Sequence, residues 1–224
     1  MLLAEELLLL ALDDETGKNR VSSIDLGLAG AVLIELALLE RVRVAERGES
    51  IRAGRLVVTP GPAPANPVLA RGLEVVTERE GRKPEHVLQA LGKGLRERLS
   101  DSLVDAGVLR RETRRVLGLV PVQRLPARDG SHEATLRERI WAALKGVQPD
   151  PRTAAMIALL SSLKAVTTVF DAPNPREIRK RAKEIAEGQW AATAVRKAID
   201  AINAATAAAV VAVAASDGGG GSSG

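Results

Sequence analysis

The sequence predicts a mainly α fold, in which helices pack around one buried central helix at about residues 26–39, with one or two small β-hairpins. The central stretch from Leu26 to Leu39 carries a single charge, Glu35, and would be apolar on every side of a helix, so we expect it to be buried all round. Its 14 residues are too few to span a bilayer, which takes roughly 20. Elsewhere apolar residues recur at spacings of three and four, and only two short stretches show hairpin patterns. Glu35 is therefore expected to be a buried structural carboxylate that needs a partner.

The chain begins with an apolar stretch, MLLAEELLLLALDDE, which we expect to form the first helix. Glu5 and Glu6 stand where a signal peptide would need basic residues, so the pattern predicts an amphipathic helix and no export signal. The polar segment from Lys18 to Ser23 predicts a loop that leads into the central helix. The absence of cysteine excludes disulfides, thiolate metal sites and thiol nucleophiles. We expect the protein to stay in the cytoplasm.

A small hairpin is predicted directly after the central helix. Residues Arg41 to Val44 alternate with period two, Arg47-Gly48-Glu49 offers a turn, and Arg55 to Thr59 is rich in β-branched residues. The proline-rich segment from Pro60 to Pro67 then predicts a short stiff connector. A short helix from Val68 to Glu78 follows.

The next segment predicts one long helix from Glu85 to Ala106. Pro84 stands where the first turn of a helix tolerates proline, and Gly107 where a helix ends. One face carries a leucine stripe that we expect to meet the core: Leu88, Leu91, Leu95, Leu99 and Leu103. Another face groups polar side chains without an acid: Gln89, Lys93, Arg96 and Ser100. This second face is a candidate anion site, and the alternative is an ordinary solvated helix face.

An arginine-rich apolar segment follows Gly107. Four arginines, Arg110, Arg111, Arg114 and Arg115, precede the apolar residues Val116, Leu117, Leu119, Val120 and Val122. The segment can be a buried strand with a basic edge, or an exposed hairpin that enters a membrane while the arginines meet lipid phosphates. The pattern alone favours the buried strand, because short apolar runs are commonest as core strands.

The remaining chain is predicted to be helical, broken at two proline-rich turns. Residues 1–215 are expected to form a single domain, and 216–224 a flexible Gly/Ser tail. The predicted helices run from Ser131 to Lys145, Arg152 to Phe170, Arg176 to Glu187 and Gln189 to Ala215.

Sequence features of an enzyme are missing. There is no phosphate-binding loop and no dinucleotide fingerprint, and the two histidines, His86 and His132, are far apart, so we predict no metal, no cofactor and no catalysis. A net charge of +4 permits an anionic partner. Aromatic residues make up only 1% of the chain, which disfavours binding of single-stranded nucleic acid because that usually needs stacking platforms.

Four stretches in this order resemble the Golgi phosphoprotein 3 family: Leu2 to Gly17, Gly27 to Leu38, Leu95 to Leu109 and Val116 to Leu125. The resemblance covers most of the chain from about residue 2 to 215. It implies a mainly helical fold around a buried helix and an apolar hairpin assigned to membrane insertion and self-association. It also implies binding of phosphatidylinositol 4-phosphate on cytosolic membrane faces. Richness in Ala, Arg, Leu and Val is typical of GC-rich bacterial proteins and points to a bacterial member.

The resemblance also implies site residues. The family's two phosphate-binding arginines, three apart, fall on Lys93 and Arg96. The position of its third arginine is Ala29 here, and its tryptophan falls in the loop from Lys18 to Ser23, which has no aromatic residue; Arg20 is the nearest basic substitute. The expected headgroup site is therefore Lys93, Arg96 and Arg20, and the lipid headgroup it selects is left open.

The leading functional hypothesis is a peripheral membrane protein that binds anionic lipid, including phosphoinositides, on the cytosolic membrane face. Four basic residues near a charged surface supply only about 4 kcal/mol, equivalent to roughly millimolar binding. Each buried hairpin side chain such as Leu117 would add about 1.5 to 3 kcal/mol. Insertion, more than charge, would therefore set the affinity.

Two other hypotheses remain open. A helix that ends near Leu109 and is followed by an arginine-rich hairpin also resembles a winged-helix, nucleic-acid-binding regulator, although the long helix lacks a basic or amide-rich face for reading bases. The family resemblance also implies an adaptor that holds the tails of membrane enzymes, with a homo-oligomer formed through the hairpin.

Overall fold

The structure is a computed structural model that describes residues 1–13, 16–116, 120–188, 191 and 193–217. Within these residues the chain forms ten helices and two separate two-stranded antiparallel sheets, which confirms the mainly α fold. The helices are α1 Leu3–Ala11, α2 Ile24–Leu38, α3 Pro67–Thr77, α4 Pro84–Gly92, α5 Leu95–Asp105, α6 Ser131–Leu144, α7 Pro151–Ser162, α8 Val166–Val169, α9 Pro175–Glu187 and α10 Thr193–Asp217. The strands are β1 Val42–Val44, β2 Leu56–Val58, β3 Glu112–Val116 and β4 Val120–Arg124.

Helix α2 is the predicted central helix. Most of its 15 residues are buried, and it contacts α1, α3, α4, α5, α7, α10 and β1. Its small residues let neighbours approach closely: a methyl group added at Gly30 would lie 2.9 Å from the Thr206 hydroxyl of α10, and one at Gly27 would lie 2.6 Å from the Leu163 side chain. The packing around α2 therefore depends on its glycines as well as on its large apolar side chains.

Helix α1 is buried on all sides, so the prediction of an amphipathic first helix is wrong. All nine of its residues are buried, including Glu5 and Glu6. Both acids have partners inside the fold: the Ser102 hydroxyl donates to Glu5 at 2.8 Å, and the Arg152 guanidinium donates to Glu6 at 3.2 Å. These partners follow α1 by more than ninety residues, which is why the pattern of α1 alone did not indicate burial.

Arg152 connects the buried acids of α1 and α2. It donates to Glu35 at 2.5 Å and to the Met1 carbonyl at 2.9 Å. Burial raises the pKa of Glu6 above its ordinary value although the Arg152 charge opposes the shift. Burial also disfavours the charged form of Arg152, but its bonds to Glu35 and Glu6 outweigh that and raise its pKa. The expectation that Glu35 is a buried structural carboxylate agrees with this arrangement.

The predicted long helix from Glu85 to Ala106 is two helices, α4 and α5, so that prediction is wrong. Gly94 adopts a left-handed conformation with φ 60° and ends the helical path between Gly92 and Leu95. The predicted helix from Arg152 to Phe170 is likewise divided into α7 and α8, with Lys164 at φ 56° between them. In both cases a residue with positive φ redirects the backbone.

The hairpin predicted after the central helix is present, and the arginine-rich segment, for which the pattern alone favoured a buried strand, also forms an antiparallel hairpin. Strands β1 and β2 pair antiparallel with Arg43 opposite Val57, as expected, and β3 pairs with β4 with Val116 opposite Val120. Leu117 and Leu119 lie outside the described residues, as do Gln189 of the predicted last helix and 218–224 of the predicted tail. The buried side chains of the helices form one hydrophobic cluster.

Two contacts show that α7 runs antiparallel to α2. Helix α7 begins at the C-terminal half of α2, where Arg152 meets Glu35, and reaches Gly27 with Leu163. Helix α10 begins near β1, where Lys197 bonds Glu46 at 2.6 Å, and reaches Gly30 with Thr206. The N-terminal end of α2 is thus the end toward which α7 runs.

Candidate functional site

The predicted site residues gather at the N-terminal end of α2. Helix α4 ends there, because a methyl group added at Gly92 would lie 3.5 Å from the Asp25 carbonyl. The base of the β3–β4 hairpin also lies there, against the loop that follows α1: a methyl group added at Gly17 would lie 2.3 Å from the Leu125 nitrogen. Gly17 has φ 60°, so both its conformation and the close approach require glycine.

Arg96 forms a bidentate ion pair with Asp25 in the first turn of α2. The Arg96 Nε and Nη2 atoms donate to the two Asp25 oxygens at 2.9 Å and 2.8 Å. Both side chains remain accessible, at 40% for Arg96 and 56% for Asp25. The expectation that no acid lies beside this polar face is therefore wrong, because Asp25 of α2 places its carboxylate next to Arg96. Ser100, placed on the same face, is buried.

Lys93 lies at the α4–α5 junction and faces a different neighbourhood from Arg96. It lines a crevice of about 230 Å³ that we call the cationic crevice, because three arginines line it as well: Arg71, Arg79 and Arg98. The Arg98 guanidinium donates to the Lys93 carbonyl at 3.0 Å and so fixes the junction. Acids of α3 and its C-terminal cap pair with two of these arginines: Glu74 with Arg71, and Glu78, which also lines the crevice, with Arg79.

Arg20 and Ala29 lie at the same end in different environments. Arg20 is exposed in the loop that leads into α2, and its backbone nitrogen donates to the Ala11 carbonyl at 2.8 Å, which ties the loop to the end of α1. Ala29 is 0% exposed and packs in the core. The loop thus supplies a basic residue, Arg20, at this end, whereas Ala29, where the family resemblance places an arginine, is a buried methyl group.

The predicted basic rim is partly neutralised by acids. Arg110 pairs with Glu112 at 2.9 Å, and Arg111 pairs with Asp101 of α5. The side chains of Arg114 and Arg115 lie outside the described residues. The two rim arginines whose side chains are described, Arg110 and Arg111, each have an acidic partner. The attraction between the rim and a distant anionic surface is therefore reduced.

The predicted insertion hairpin is described at the level of its backbone. Val116 pairs with Val120, and Val122 pairs with Arg114, in a regular antiparallel ladder. The strands continue from a base where Leu109 pairs with Ala127. Leu117 and Leu119 lie outside the described residues, as do the side chains of the three valines. The backbone of this segment is thus an antiparallel hairpin.

Sequence reasoning missed Asp25 and the arginines of the cationic crevice. Asp25 carried one usable signal: an acid in the first turn of a helix is favoured by the helix dipole and can hold a nearby cation. The crevice arginines come from α3, the turn that follows it and α5, and only the fold places them together. Among residues that the structure describes, no group of three or more His, Asp or Glu side chains is arranged to hold a metal ion.

Comparison with known proteins identifies the family. The family model described as Golgi phosphoprotein 3 (GPP34) matches residues 3–202, which include α1, α2, the cationic crevice and the β3–β4 hairpin. A search of curated proteins found no match. Because the matched region covers most of the 224 residues, the chain belongs to the Golgi phosphoprotein 3 family.

Proposed function

We propose that the protein is a peripheral membrane protein that binds anionic lipid headgroups, phosphoinositides among them, at the N-terminal end of α2. It would act by binding, without catalysis, on the cytosolic membrane face. The observation that carries the proposal is that the α4–α5 junction, which bears Lys93 and Arg96, and the loop that bears Arg20 both lie at this end of α2. Family membership supports a role at membranes.

The cationic crevice is the part of the site best suited to a phosphate group. Lys93 and Arg98 both line it and are exposed, and the Arg98 guanidinium is held in place by its bond to the Lys93 carbonyl. The acids on the α3 wall are already engaged with Arg71 and Arg79. A headgroup phosphate entering the crevice would meet more positive than negative charge, and charge-assisted hydrogen bonds would hold it.

Asp25 limits what Arg96 can contribute. Both Arg96 donors that face Asp25 are occupied, so a lipid phosphate must compete with a carboxylate for them. Competition within an exposed pair costs little, because such pairs contribute about 0 to 1 kcal/mol. Arg96 is thus available to lipid, at reduced strength.

The nucleic-acid alternative receives less support from the charge on α5. Glu97, Asp101 and Asp105 are all exposed and follow one another at intervals of four residues, which aligns them on one face of the helix. A helix presented to a groove with this face would repel phosphates. The arginines of the adjoining hairpin that a wing would use are paired with acids at Arg110 and Arg111.

The test is co-sedimentation with phosphatidylcholine vesicles that contain or lack phosphatidylinositol 4-phosphate or phosphatidylserine. Lys93→Ala combined with Arg96→Ala should lower binding to anionic vesicles by roughly tenfold or more, since each cation near the surface is worth about 1 kcal/mol and the crevice contacts add to that. The matched control is Arg47→Ala with Arg52→Ala, two exposed arginines on the β1–β2 hairpin that follows the C-terminal end of α2.

The control removes the same charge, so it should bind nearly as well as the unmodified protein. Equal loss in both double variants would indicate general charge attraction and remove the proposed site. Unchanged binding of the Lys93 and Arg96 variant would do the same. A comparison of the two anionic lipids identifies which headgroup the crevice prefers.

A further inference from the structure

A groove separate from the cationic crevice lies between α6, the turn that follows α8, and α9. Its volume is about 540 Å³, within the range of sites that hold small molecules. Its lining includes apolar side chains and two cations: Trp141, Leu144, Pro173, Ile178, Lys145 and Arg181. No described residue lines both this groove and the cationic crevice. The groove is therefore a second candidate site.

The aromatic wall of the groove is held in place by the core. Trp141 stacks on the buried Phe170, with ring centroids 5.9 Å apart and an angle of 11° between the planes. The Arg137 guanidinium lies 5.8 Å from the Phe170 centroid and donates to the Val169 carbonyl at 2.8 Å. Trp141 itself is half-buried, so part of its indole ring remains open to a ligand. Two of the three aromatic residues of the sequence are thus used to build this wall.

Two cations line the same groove. The Lys145 Nζ atom lies 5.1 Å from the Trp141 centroid, a distance at which an ammonium group and an aromatic ring attract each other. The Arg181 Nε atom donates to the Ala143 carbonyl at 3.3 Å, which anchors the guanidinium at the C-terminal end of α6. Arg181 also pairs with Glu184 at 3.5 Å, but Glu184 does not line the groove. Both cations are thus fixed beside apolar surface.

The charges of the lining favour a ligand with one negative charge. Glu177 is the one acid among the described residues that line the groove, and the Asn174 amide donates to it at 3.2 Å. Two cations and one acid leave a net charge of +1, which repels a cation and matches a monoanion. The cationic crevice, lined by four cations and one acid, is the better match for a group with more negative charge, such as phosphate.

We propose that this groove binds a small organic acid, a monoanion with a ring-bearing apolar body and one carboxylate. The ring would pack against Trp141, Leu144 and Ile178, because aromatic rings attract each other beyond the gain from burying their area. The carboxylate would accept charge-assisted hydrogen bonds from Lys145 and Arg181. The inference does not depend on the proposed lipid binding, which uses other residues.

Three probes separate the two parts of the proposed ligand. Phenylacetate carries a ring and a carboxylate, phenylacetamide keeps the shape without the charge, and acetate lacks the ring. Binding is followed by the indole N–H signal of Trp141 in a ¹H–¹⁵N NMR spectrum. The chain has two tryptophans, so Trp190→Phe identifies which signal belongs to Trp141.

Phenylacetate should move the Trp141 signal in a saturable way at roughly millimolar concentration, since so small a ligand gains only limited binding free energy. Phenylacetamide should bind at least tenfold more weakly, because it loses the hydrogen bonds from two charged groups to its carboxylate. Acetate should also bind at least tenfold more weakly, because it buries no ring.

A pair of lysine variants tests the position of the carboxylate. Lys145→Gln should weaken phenylacetate binding by roughly tenfold. Lys183→Gln is the matched control: it makes the same change in charge on α9, its side chain is 72% exposed, and it does not line the groove. It should bind phenylacetate as the unmodified protein does. Lys145 is exposed as well, so thermal unfolding of both variants should match the unmodified protein and exclude misfolding as a cause.

Four outcomes would overturn the proposal. The first is no saturable movement of the Trp141 signal, or equal affinity for phenylacetate and phenylacetamide. The second is an equal loss in both lysine variants, which would indicate general charge attraction. The third is binding of a peptide that ends in phenylalanine without binding of phenylacetate, which would assign the groove to a protein partner. The fourth is a loss of co-sedimentation with anionic vesicles in Lys145→Gln as large as in Lys93→Ala with Arg96→Ala, which would make the groove part of the lipid site.

Discussion

Replacing Asp25 with asparagine should strengthen binding to anionic vesicles. The substitution keeps the shape of the side chain and removes the carboxylate that holds both Arg96 donors. The N-terminal end of α2 gains one positive charge, and a basic residue near an anionic surface is worth about 1 kcal/mol, so partitioning should rise about fivefold. The effect should be largest at low salt, because exposed charges are screened over about 10 Å at 0.1 M ionic strength.

Asp25→Asn should also lower the stability of the fold slightly. Binding and stability should therefore change in opposite directions. An exposed ion pair contributes about 0 to 1 kcal/mol, and an acid in the first turn of a helix contributes about 0.3 to 1 kcal/mol. For a chain of this size a loss of 1 kcal/mol lowers the melting temperature by about 2 to 4 °C. Tighter binding therefore cannot be explained by a more stable protein.

The assay is a vesicle titration followed by sedimentation, with thermal unfolding measured in parallel. Asp200→Asn is the matched control, because Asp200 pairs with Arg196 on α10 and is 50% exposed, close to the 56% of Asp25. It makes the same change in total charge at a residue that lines a cleft with α7 and α9 and does not line the cationic crevice. If Asp25→Asn binds vesicles no more tightly than Asp200→Asn, Arg96 does not face lipid and the site must be placed elsewhere.

Three further predictions concern the scaffold that holds the site. Arg152→Ala should lower the free energy of unfolding by about 3 kcal/mol, as measured by denaturant titration. This is the low end for a broken buried ion pair, because the Arg152 side chain is 28% exposed. Adding Glu35→Gln to this variant should recover part of the loss, because it removes the carboxylate left without its partner. Gly17→Ala should lower the free energy of unfolding by more than the roughly 1 kcal/mol that a left-handed alanine loses, because the added methyl group would meet the backbone of Leu125. Gly54, at φ 79°, has open space around it, so Gly54→Ala should lose only the conformational part. Equal losses in a denaturant titration would mean that the contact with the hairpin base does not contribute to stability. Asp150→Ala should cost about 0.5 to 2 kcal/mol, because the Asp150 carboxylate accepts the Thr153 N–H at the start of α7. Burial opposes ionisation of Asp150, yet the hydrogen bonds from Thr153 and the neighbouring backbone lower its pKa below 3.8, so this contribution is complete above pH 3.8 and is lost as the pH falls through the lower folded-state value; a cost that persists in acid would contradict this assignment.

The sequence predicted those parts of the fold that depend on local patterns. The run of apolar residues identified α2, and the glycine and proline positions located most helix ends. The break at Gly94 was missed because the leucine stripe continues across it in register, although the pair Gly92 and Gly94 was an available signal. Helical spacing alone cannot show that one residue adopts φ 60°.

The candidate site could be predicted only in part, because its partners are distant in sequence. The family resemblance and the helical spacing led us to predict Lys93 and Arg96. Asp25 pairs with Arg96 across 71 residues, and Arg152 reaches Glu35 across 117, so no local pattern contains these pairs. Burial of Glu5 and Glu6 was missed for the same reason: the groups that satisfy them come from α5 and α7.

The pairing of Arg96 with Asp25 also predicts how binding should depend on salt. If charge alone held the protein to a membrane, binding would fall steeply as salt increases, because exposed pairs are screened. In this chain Arg96, Arg110 and Arg111 are each matched by an acid, so the net charge offered to the surface is small. We therefore expect vesicle binding to depend only weakly on salt for the unmodified protein and more steeply for Asp25→Asn, which leaves Arg96 without its acid.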